Sequence, residues 1–252
     1  MLPKIFEPVH RTDLIRLGQK YDGGYLVATN SVMNTERLIS LGVQFDWSFE
    51  RDFRRLKYVP LEAYDHTVTP REAAIYLMKG TLNTLLEPRR ITNLLKRVGA
   101  VLDYRFFFRD TARHHLKMVG YDLPGGTSLT SIVRQFPGER LFLKVDIEGW
   151  EYRILDEIVA CADQLEGLAM ELHDVDIHHA RLEAFVRALP LSLVHVHANN
   201  HGGVDGRGDP VVLEMTFSRL PPSTQAEFVP LPHSRDQPND PTLPEVELQF
   251  AD

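Results

Sequence analysis

The sequence predicts an open α/β sheet, mostly parallel and closed at its C-terminal end by an antiparallel hairpin. Three observations predict it. Short apolar runs such as Arg37-Leu38-Ile39-Ser40-Leu41-Gly42 and Leu165–Leu172 lack polar alternation, as strands buried on both faces do. Segments of helical period lie between such runs. The last two strand-like runs, Leu191–His197 and Val211–Phe217, are separated only by a loop containing the Gly-rich stretch HANNHGGVDGRGD.

Taken in order, Asp22-Gly23-Gly24 reads as a tight turn into a strand at Tyr25–Ala28. The run 37–42 follows, and Ser48–Phe53 opens a helix with Asp46 or Ser48 as its N-cap. Tyr58–Tyr64 is a second sheet strand, closed by Asp65. Pro70 fits a helical first turn, and Ala73, Ala74, Ile75, Leu77 and Met78 continue it. Ile91, Leu94, Leu95 and Val98 recur at helical spacing, so residues 70–98 are expected as a helical insertion. Val101–Phe108 is expected as a strand and Thr127–Phe136 as a helix. Leu141–Ile147 reads as a strand, Trp150–Ala160 as a helix, Leu165–Leu172 as a strand and Ile177–Leu189 as a helix. From Pro221 the pattern fails, with seven prolines in the last 32 residues. One domain over 1–220 and a Pro-rich tail over 221–252 are expected, the tail either an ordered wrap or partly disordered.

Composition narrows the function. A chain of 252 residues, 43% hydrophobic and 25% charged, buries a full core without staples. Its 28 Lys+Arg against 35 Asp+Glu leave a formal charge of -7, which lacks the basic footprint of nucleic-acid binding. The single Cys161 makes neither an internal disulfide nor a Cys-rich zinc site. No apolar run reaches the ~18 residues of a membrane helix, and MLPKIFEPVHRTDLIRLG lacks signal-peptide regions. The expectation is a cytoplasmic protein with no membrane span and no nucleic-acid partner.

Ligands of open parallel sheets bind beyond the carboxyl ends of the strands. Those ends here are Gly42 to Asp46, Asp65, Asp146 to Gly149, Glu171 to Asp174 and His197 to Asn200. Gly42 and Asp65 stand 23 residues apart, a spacing that suits a nucleoside: the glycine admits the ligand and the acid takes ribose hydroxyls. Gly42 is followed by Val43-Gln44-Phe45-Asp46-Trp47, so the glycine-lined approach that a pyrophosphate needs is missing. The same features therefore favour S-adenosylmethionine over a dinucleotide.

Several motifs share these positions. Leu143-Lys144-Val145-Asp146-Ile147-Glu148-Gly149-Trp150-Glu151 resembles the lKiDiEGxE signature of FkbM-like methyltransferases. Tyr21-Asp22-Gly23-Gly24-Tyr25-Leu26-Val27 is similar to the DGGYvv segment of one branch of that group, and residues 39–50 to its SlGvxxdxSFe motif. Ala63-Tyr64-Asp65 matches its afDp acid, with His66 where Pro is common. Ser128-Leu129 and Glu171-Leu172-His173 also fit, so the resemblance runs in order from about residue 16 to 217. It implies a class I S-adenosylmethionine-dependent methyltransferase: a single domain with a Rossmann-like seven-stranded sheet and helices on both faces. The reaction it implies is O-methylation of a sugar, glycan precursor or related small metabolite, with S-adenosylhomocysteine as product. It places cofactor contacts at Asp22, Gly23, Gly24, Gly42 and Asp65, and Asp46 and Ser48 stand at the first helix N-terminus. For Asp22-Gly23-Gly24 a plain turn fits equally well.

The chemical groups leave alternatives open. Asp146 and Glu148 follow the fourth strand, where a carboxylate could hold the methionine ammonium, orient or deprotonate the acceptor hydroxyl, or cap the next helix. Six of the 11 histidines fall between 173 and 201. Glu171 and His173 share a strand face, as do His195 and His197. His173 or His197 fits a general base; Asp146, Glu171 and either histidine fit a divalent metal; a hydrogen-bonded strand-end cluster fits as well. Asn199 and Asn200 suit either acceptor hydroxyls or the turn itself. Trp47 and Trp150 suit stacking on a ring or plain packing. Two other function classes remain: a metal-dependent hydrolase built on the Glu/His strand ends, and a nucleoside-binding relative without turnover.

Overall fold

The computed structural model describes residues 1–9, 13–86, 91–120, 124–219 and 230–251. Its main sheet has seven strands: β1 (Arg37–Leu41), β2 (Leu61–Tyr64), β3 (Ala112–His115), β4 (Leu141–Val145), β5 (Leu165–Leu172), β6 (Ser192–Ala198) and β7 (Leu213–Ser218). Across the sheet they run β6-β7-β5-β4-β1-β2-β3, all parallel except β7, which is antiparallel to both neighbours. The helices are α1 (Thr29–Asn34), α2 (Ser48–Leu56), α3 (Pro70–Leu86), α4 (Ile91–Phe107), α5 (Leu129–Val133), α6 (Leu155–Ala160) and α7 (Val175–Ala188). The architecture is thus Rossmann-like, with a closing antiparallel pair, as the sequence leads one to expect.

The strands form because their residues are buried on both faces; every side chain of β4 is buried. Ile39, Leu143 and Met170 pack against α5, α6 and α7 on one face, while Leu38, Phe142 and Ala169 meet α1 and α2 on the other. Each fully buried Leu, Ile or Phe contributes roughly 1.5–3 kcal/mol. Capping sets two helix starts: Thr69 Oγ1 accepts from the Glu72 amide before α3, and Ser128 Oγ accepts from the Ser131 amide before α5.

Several local expectations change. Val101–Phe108 is not a strand; all of it but Phe108 belongs to the second half of α4, where Tyr104 and Phe107 pack on Trp47. The third strand lies just beyond, at Ala112–His115. Its Arg-His-His composition lacks an apolar signal because it is a sheet edge. The helix expected over 150–160 divides into a 3-10 turn at Glu151–Arg153 and α6, and that expected over 127–136 contracts to α5. Leu14–Gly18, unassigned from sequence, pairs antiparallel with Gly24–Ala28 across the Asp22-Gly23 turn. This hairpin lies over a polar strip of the sheet, where Thr216 Oγ1 donates to the Leu26 carbonyl at 2.7 Å.

Residues 230–251 of the tail pack on the body; 220–229 fall outside the described residues. Asn239 Nδ2 donates to Glu214 Oε1 at 2.8 Å, the Asp240 amide donates to Asn200 Oδ1 at 2.8 Å, and Arg235 donates to the Leu14 carbonyl. Phe250–Ala251 ends the wrap as a short parallel pair with Leu2–Pro3.

Candidate functional site

Strands β1, β2 and β4 end at one level, since Leu41 is in register with both Tyr64 and Val145. Gly42, Asp65 and Asp146 therefore leave the sheet side by side. The chain order reverses between β1 and β4, so a crevice opens at this switch point. Two cavities occupy it. The outer-edge cavity, about 230 Å³, is bounded by Tyr64, Asp65, Met118, Val119, Ile147 and Trp150. The inner one, about 280 Å³, is bounded by Asp22, Gly23, Phe49, Lys144 and Glu171 among others. Gly42, Gln44, Asp146 and Glu148 line both, so the two form one cleft.

The inner cavity is strongly anionic. Asp22, Asp46, Glu50, Asp146, Glu148 and Glu171 face a single cation, Lys144. Lys144 is buried on β4, and Nζ donates to the Gly42 carbonyl at 2.7 Å and to Asp146 Oδ2 at 3.1 Å. Tyr25 comes down from the hairpin, fully buried, with its hydroxyl 3.2 Å from Asp146 Oδ2 and 3.1 Å from Glu171 Oε2. Asn199 Nδ2 donates to the other Glu171 oxygen at 3.1 Å.

The protonation states follow from this crowding. Burial, and then the charges of Asp146 and Glu214, push the Glu171 carboxyl well above its ordinary value. Burial raises Asp22 too, with Asp146 and Glu214 adding to it and Asn239 opposing. Burial alone would depress His173, but the nearby carboxylate of Glu151, together with Glu171 and Asp146, raises it to about 9. His173 Nδ1 stands 3.3 Å from Glu151, and Nε2 stands 3.5 Å from Glu171 and 3.6 Å from Glu148. The imidazolium form of His173 is therefore favoured at neutral pH, although the ring itself lines neither cavity.

Asp65 lines the outer-edge cavity, but its oxygens are engaged locally. Oδ2 accepts the Val43 and Gln44 amides at 3.0 and 2.7 Å, and Oδ1 accepts both the Thr67 amide and hydroxyl at 2.6 Å. Burial alone would raise Asp65, but the Thr67 and loop contacts outweigh it and hold the carboxyl below its ordinary value. Asp65 thus locks the Gly42 loop onto β2, and a ribose diol would have to share its oxygens with Thr67 and those amides.

The remaining expected residues divide. Gly23 lines the inner cavity, where a Cβ would meet Asp46 Oδ2 at 2.9 Å; Asp46 Oδ1 accepts the Ser48 amide at 3.0 Å. Gly24 does not line the cleft; a Cβ there would strike the Gln19 carbonyl, so the hairpin closure requires it. Glu148, at φ +56°, accepts from Gln44 Nε2 at 2.5 Å across the cleft mouth. His197 stands apart and lines neither cavity. Its ring lies between Glu214 at 3.3 Å and Glu245 at 3.2 Å, which raise it to about 9 against the effect of burial. Asn200 binds the Asp240, Leu243 and Pro244 carbonyls, so His197 and Asn200 both clasp the tail. Trp150 lines the outer-edge cavity. Trp47 instead borders a third cavity, about 460 Å³, with Phe45, Arg51, Tyr76, Lys96 and Arg97, and donates to Asp103 at 2.7 Å.

Three residues of this site go unassigned in the sequence: Tyr25, Lys144 and Glu151. Each sits inside a quoted motif, which was the available signal. Glu151 is fully buried and accepts the Ile147 amide at 2.9 Å, fixing the loop and aligning His173. Asp146, Glu171 and His173 also bring one ligand-type atom each within 4.8 Å of one another. Lys144 already donates to Asp146 within this trio, so a metal ion there would have to compete with an ammonium.

No protein-family model matches the chain, and none of the curated proteins does either. Among solved structures it is similar to the METTL16 methyltransferase domain, at 11% identity and a TM-score of 0.38 over 75% of this chain and 62% of that one. The chain thus spans less than two thirds of that domain's length. It is also similar to precorrin-6y C5,15-methyltransferase from Geobacter metallireducens, at 12% identity and a TM-score of 0.37 over 76% of this chain and 85% of that one. An rRNA methylase from Streptococcus thermophilus overlaps at 10% identity and a TM-score of 0.36, over 76% and 94% respectively. Overlap this loose decides nothing about reaction or substrate. No helix among the described residues is long and apolar enough to cross a membrane.

Proposed function

We propose that this chain is an S-adenosylmethionine-dependent O-methyltransferase of FkbM-like type, acting on a hydroxyl of a sugar, glycan precursor or related small metabolite. The single observation behind the reading is the inner cavity at the β1/β4 switch point, lined by six acidic side chains with Lys144 among them. A pyrophosphate would be repelled there, whereas a ligand bearing sulfonium and ammonium charges is attracted. Gly42 lets β1 and β4 leave the sheet in contact, because a Cβ there would strike the Asp146 carbonyl. The motifs of residues 21–27, 39–50 and 143–151 agree with it, since all three border this cleft.

The adenosine half suits the apolar outer-edge cavity beside Trp150, Met118 and Val119. The amino-acid half suits the inner cavity, where Asp22 and Asp146 would take the ammonium. The cofactor supplies an electrophilic methyl group on sulfonium. With the cofactor bound, the methyl would pass from its sulfur to the acceptor oxygen, and the chain's part would be to orient that hydroxyl and take up its proton. His173 suits this task once a second positive charge nearby has driven off its own proton. Glu151 and Glu171 act by holding the ring. The third cavity adjoins the inner one through Gln19 and Asp46 and suits the acceptor.

Calorimetry with purified chain tests the first step. Binding of S-adenosylmethionine and S-adenosylhomocysteine at one site per chain, abolished in Gly42→Ala, is expected; no binding of either sinks the proposal. Product analysis over a panel of hydroxyl acceptors then tests the reaction, with S-adenosylhomocysteine release as readout. Turnover that a chelator abolishes would move the reading to metal chemistry at Asp146, Glu171 and His173.

A further inference from the structure

Helices α3 and α4 each run 17 residues, about 25 Å, yet only Gly80 of α3 and no residue of α4 is buried. Each exposes an apolar stripe. On α3 it is Met78, Leu82, Leu85 and Leu86, 56–74% exposed; on α4 it is Ile91, Leu95, Val98, Leu102 and Phe106, 38–68% exposed. The steps 78-82-85 and 91-95-98-102 alternate four and three residues, the spacing of a coiled-coil seam. A lone exposed leucine needs no explanation, but nine large apolar side chains on two adjacent helices do.

The other sides of these helices already have partners. A Cβ on Gly80 would meet Arg97 Cδ at 2.7 Å and Leu94 Cδ1 at 3.3 Å, so α3 touches α4 there. Tyr76 stacks on Phe45 at 4.6 Å, and Tyr104 and Phe107 pack on Trp47. The stripes are what is left over. Beside the α4 stripe, Gly99 has open space where a side chain would stand, which lets another helix approach closely.

Size and spacing select the occupant. The nine side chains together expose on the order of 1,000 Å², close to the ~800 Å² per partner of a stable interface. A lipid surface is satisfied by any apolar face, whereas a four-three seam is shaped for the knobs of another helix. A second copy supplies the same seams under two-fold symmetry. We propose that the chain forms a homodimer through α3 and α4. Because Tyr76, Asn93, Lys96, Arg97 and Ala100 also line the third cavity, the second copy would steady that cavity's wall. The proposal is independent of the methyl-transfer reading.

Sedimentation equilibrium of the full chain at about 10 μM tests it. Wild type is expected at twice the mass of one chain. Leu95→Glu combined with Leu102→Glu is expected at the mass of one chain, its association weakened ~100-fold or more, with unchanged far-UV circular dichroism. A wild-type chain that stays single at that concentration overturns the proposal, and so does a double variant that remains dimeric. A chain that is single in solution but pellets with phosphatidylglycerol vesicles overturns it in favour of a lipid surface. If the double variant loses its circular dichroism, hydrogen exchange of wild type decides. Amides of 78–86 and 91–107 must gain protection between about 1 and 50 μM, and an absence of gain overturns the dimer.

Discussion

A Cβ placed on Gly42 would stand 1.6 Å from the carbonyl oxygen of Asp146. Strands β1 and β4 leave the sheet in backbone contact, with the Asp146 amide donating to the Leu41 carbonyl at 2.9 Å. Gly42 also sits at φ +76°, a conformation that costs a side-chain-bearing residue. Gly42→Ala is therefore expected to lose about 3 kcal/mol or more in urea unfolding, with cofactor binding lost alongside. Gly206→Ala, where nothing lies within 4 Å, should stay within about 0.5 kcal/mol of wild type. Equal effects at the two positions would contradict the close approach.

Proton release on binding is expected next. Glu171 is held well above its ordinary value and His173 is raised to about 9, so both shifts favour the protonated forms. A sulfonium and an ammonium arriving beside them lower both. Calorimetric heats for S-adenosylmethionine at pH 7 should then differ between phosphate and Tris buffers, with the sign of net release. S-adenosylhomocysteine, lacking the sulfonium charge, should release less. Heats independent of buffer would remove the electrostatic argument for a cationic ligand.

His173 lines neither cavity but stands 3.5 Å from Glu171, which does, and so makes a kinetic claim. The free imidazole is the reactive form, and its fraction grows as pH rises towards about 9. The rate at low cofactor concentration should climb over that range. His173→Gln should lower kcat ~100-fold or more and flatten the climb while leaving circular dichroism unchanged. A steep profile retained in the variant would assign the base elsewhere.

Stability against pH reports on the tail clasp. His197 is raised from 6.5 to about 9, chiefly because Glu214 outweighs the effect of burial. A raised folded-state value means stability fully present below pH 6.5 and lost as pH rises through about 9. A loss of about 2 kcal/mol is expected over that window, smaller in His197→Gln. His173 shifts in the same direction and adds to the decline, so the double variant should show the flattest curve. Stability rising over this window would mean that the imidazolium of His197 is not part of the clasp.

The strands that were legible in the sequence are the ones whose signal is local. Leu165–Leu172 was assigned to the residue because burial on both faces demands an unbroken apolar run. Ala112–His115 was missed because an edge strand needs no such run, and the aromatic stretch before it mimics a strand. Gly42, Asp65 and Asp146 are legible from their places after strands, and all three line the cleft. Tyr25 is not, since nothing near it in sequence says that its hydroxyl reaches residues 121 and 146 positions away. His197 was drawn into the site by sharing a strand face with His195, but its partner Glu245 comes from a tail with no periodicity to read.

By itself, the sequence determined the alternation of strands and helices, the closing antiparallel pair and the line of acids and glycines at the strand ends. Apolar period and turn chemistry act over a few residues, so these features are written locally. Only the tertiary structure decided which of those acids share a cavity, which are pushed towards their protonated forms, and that Asp65 spends its oxygens on its own loop. Desolvation and charge coupling depend on through-space distance in a low dielectric, and the hairpin and tail that set those distances are remote along the chain from the groups they bury.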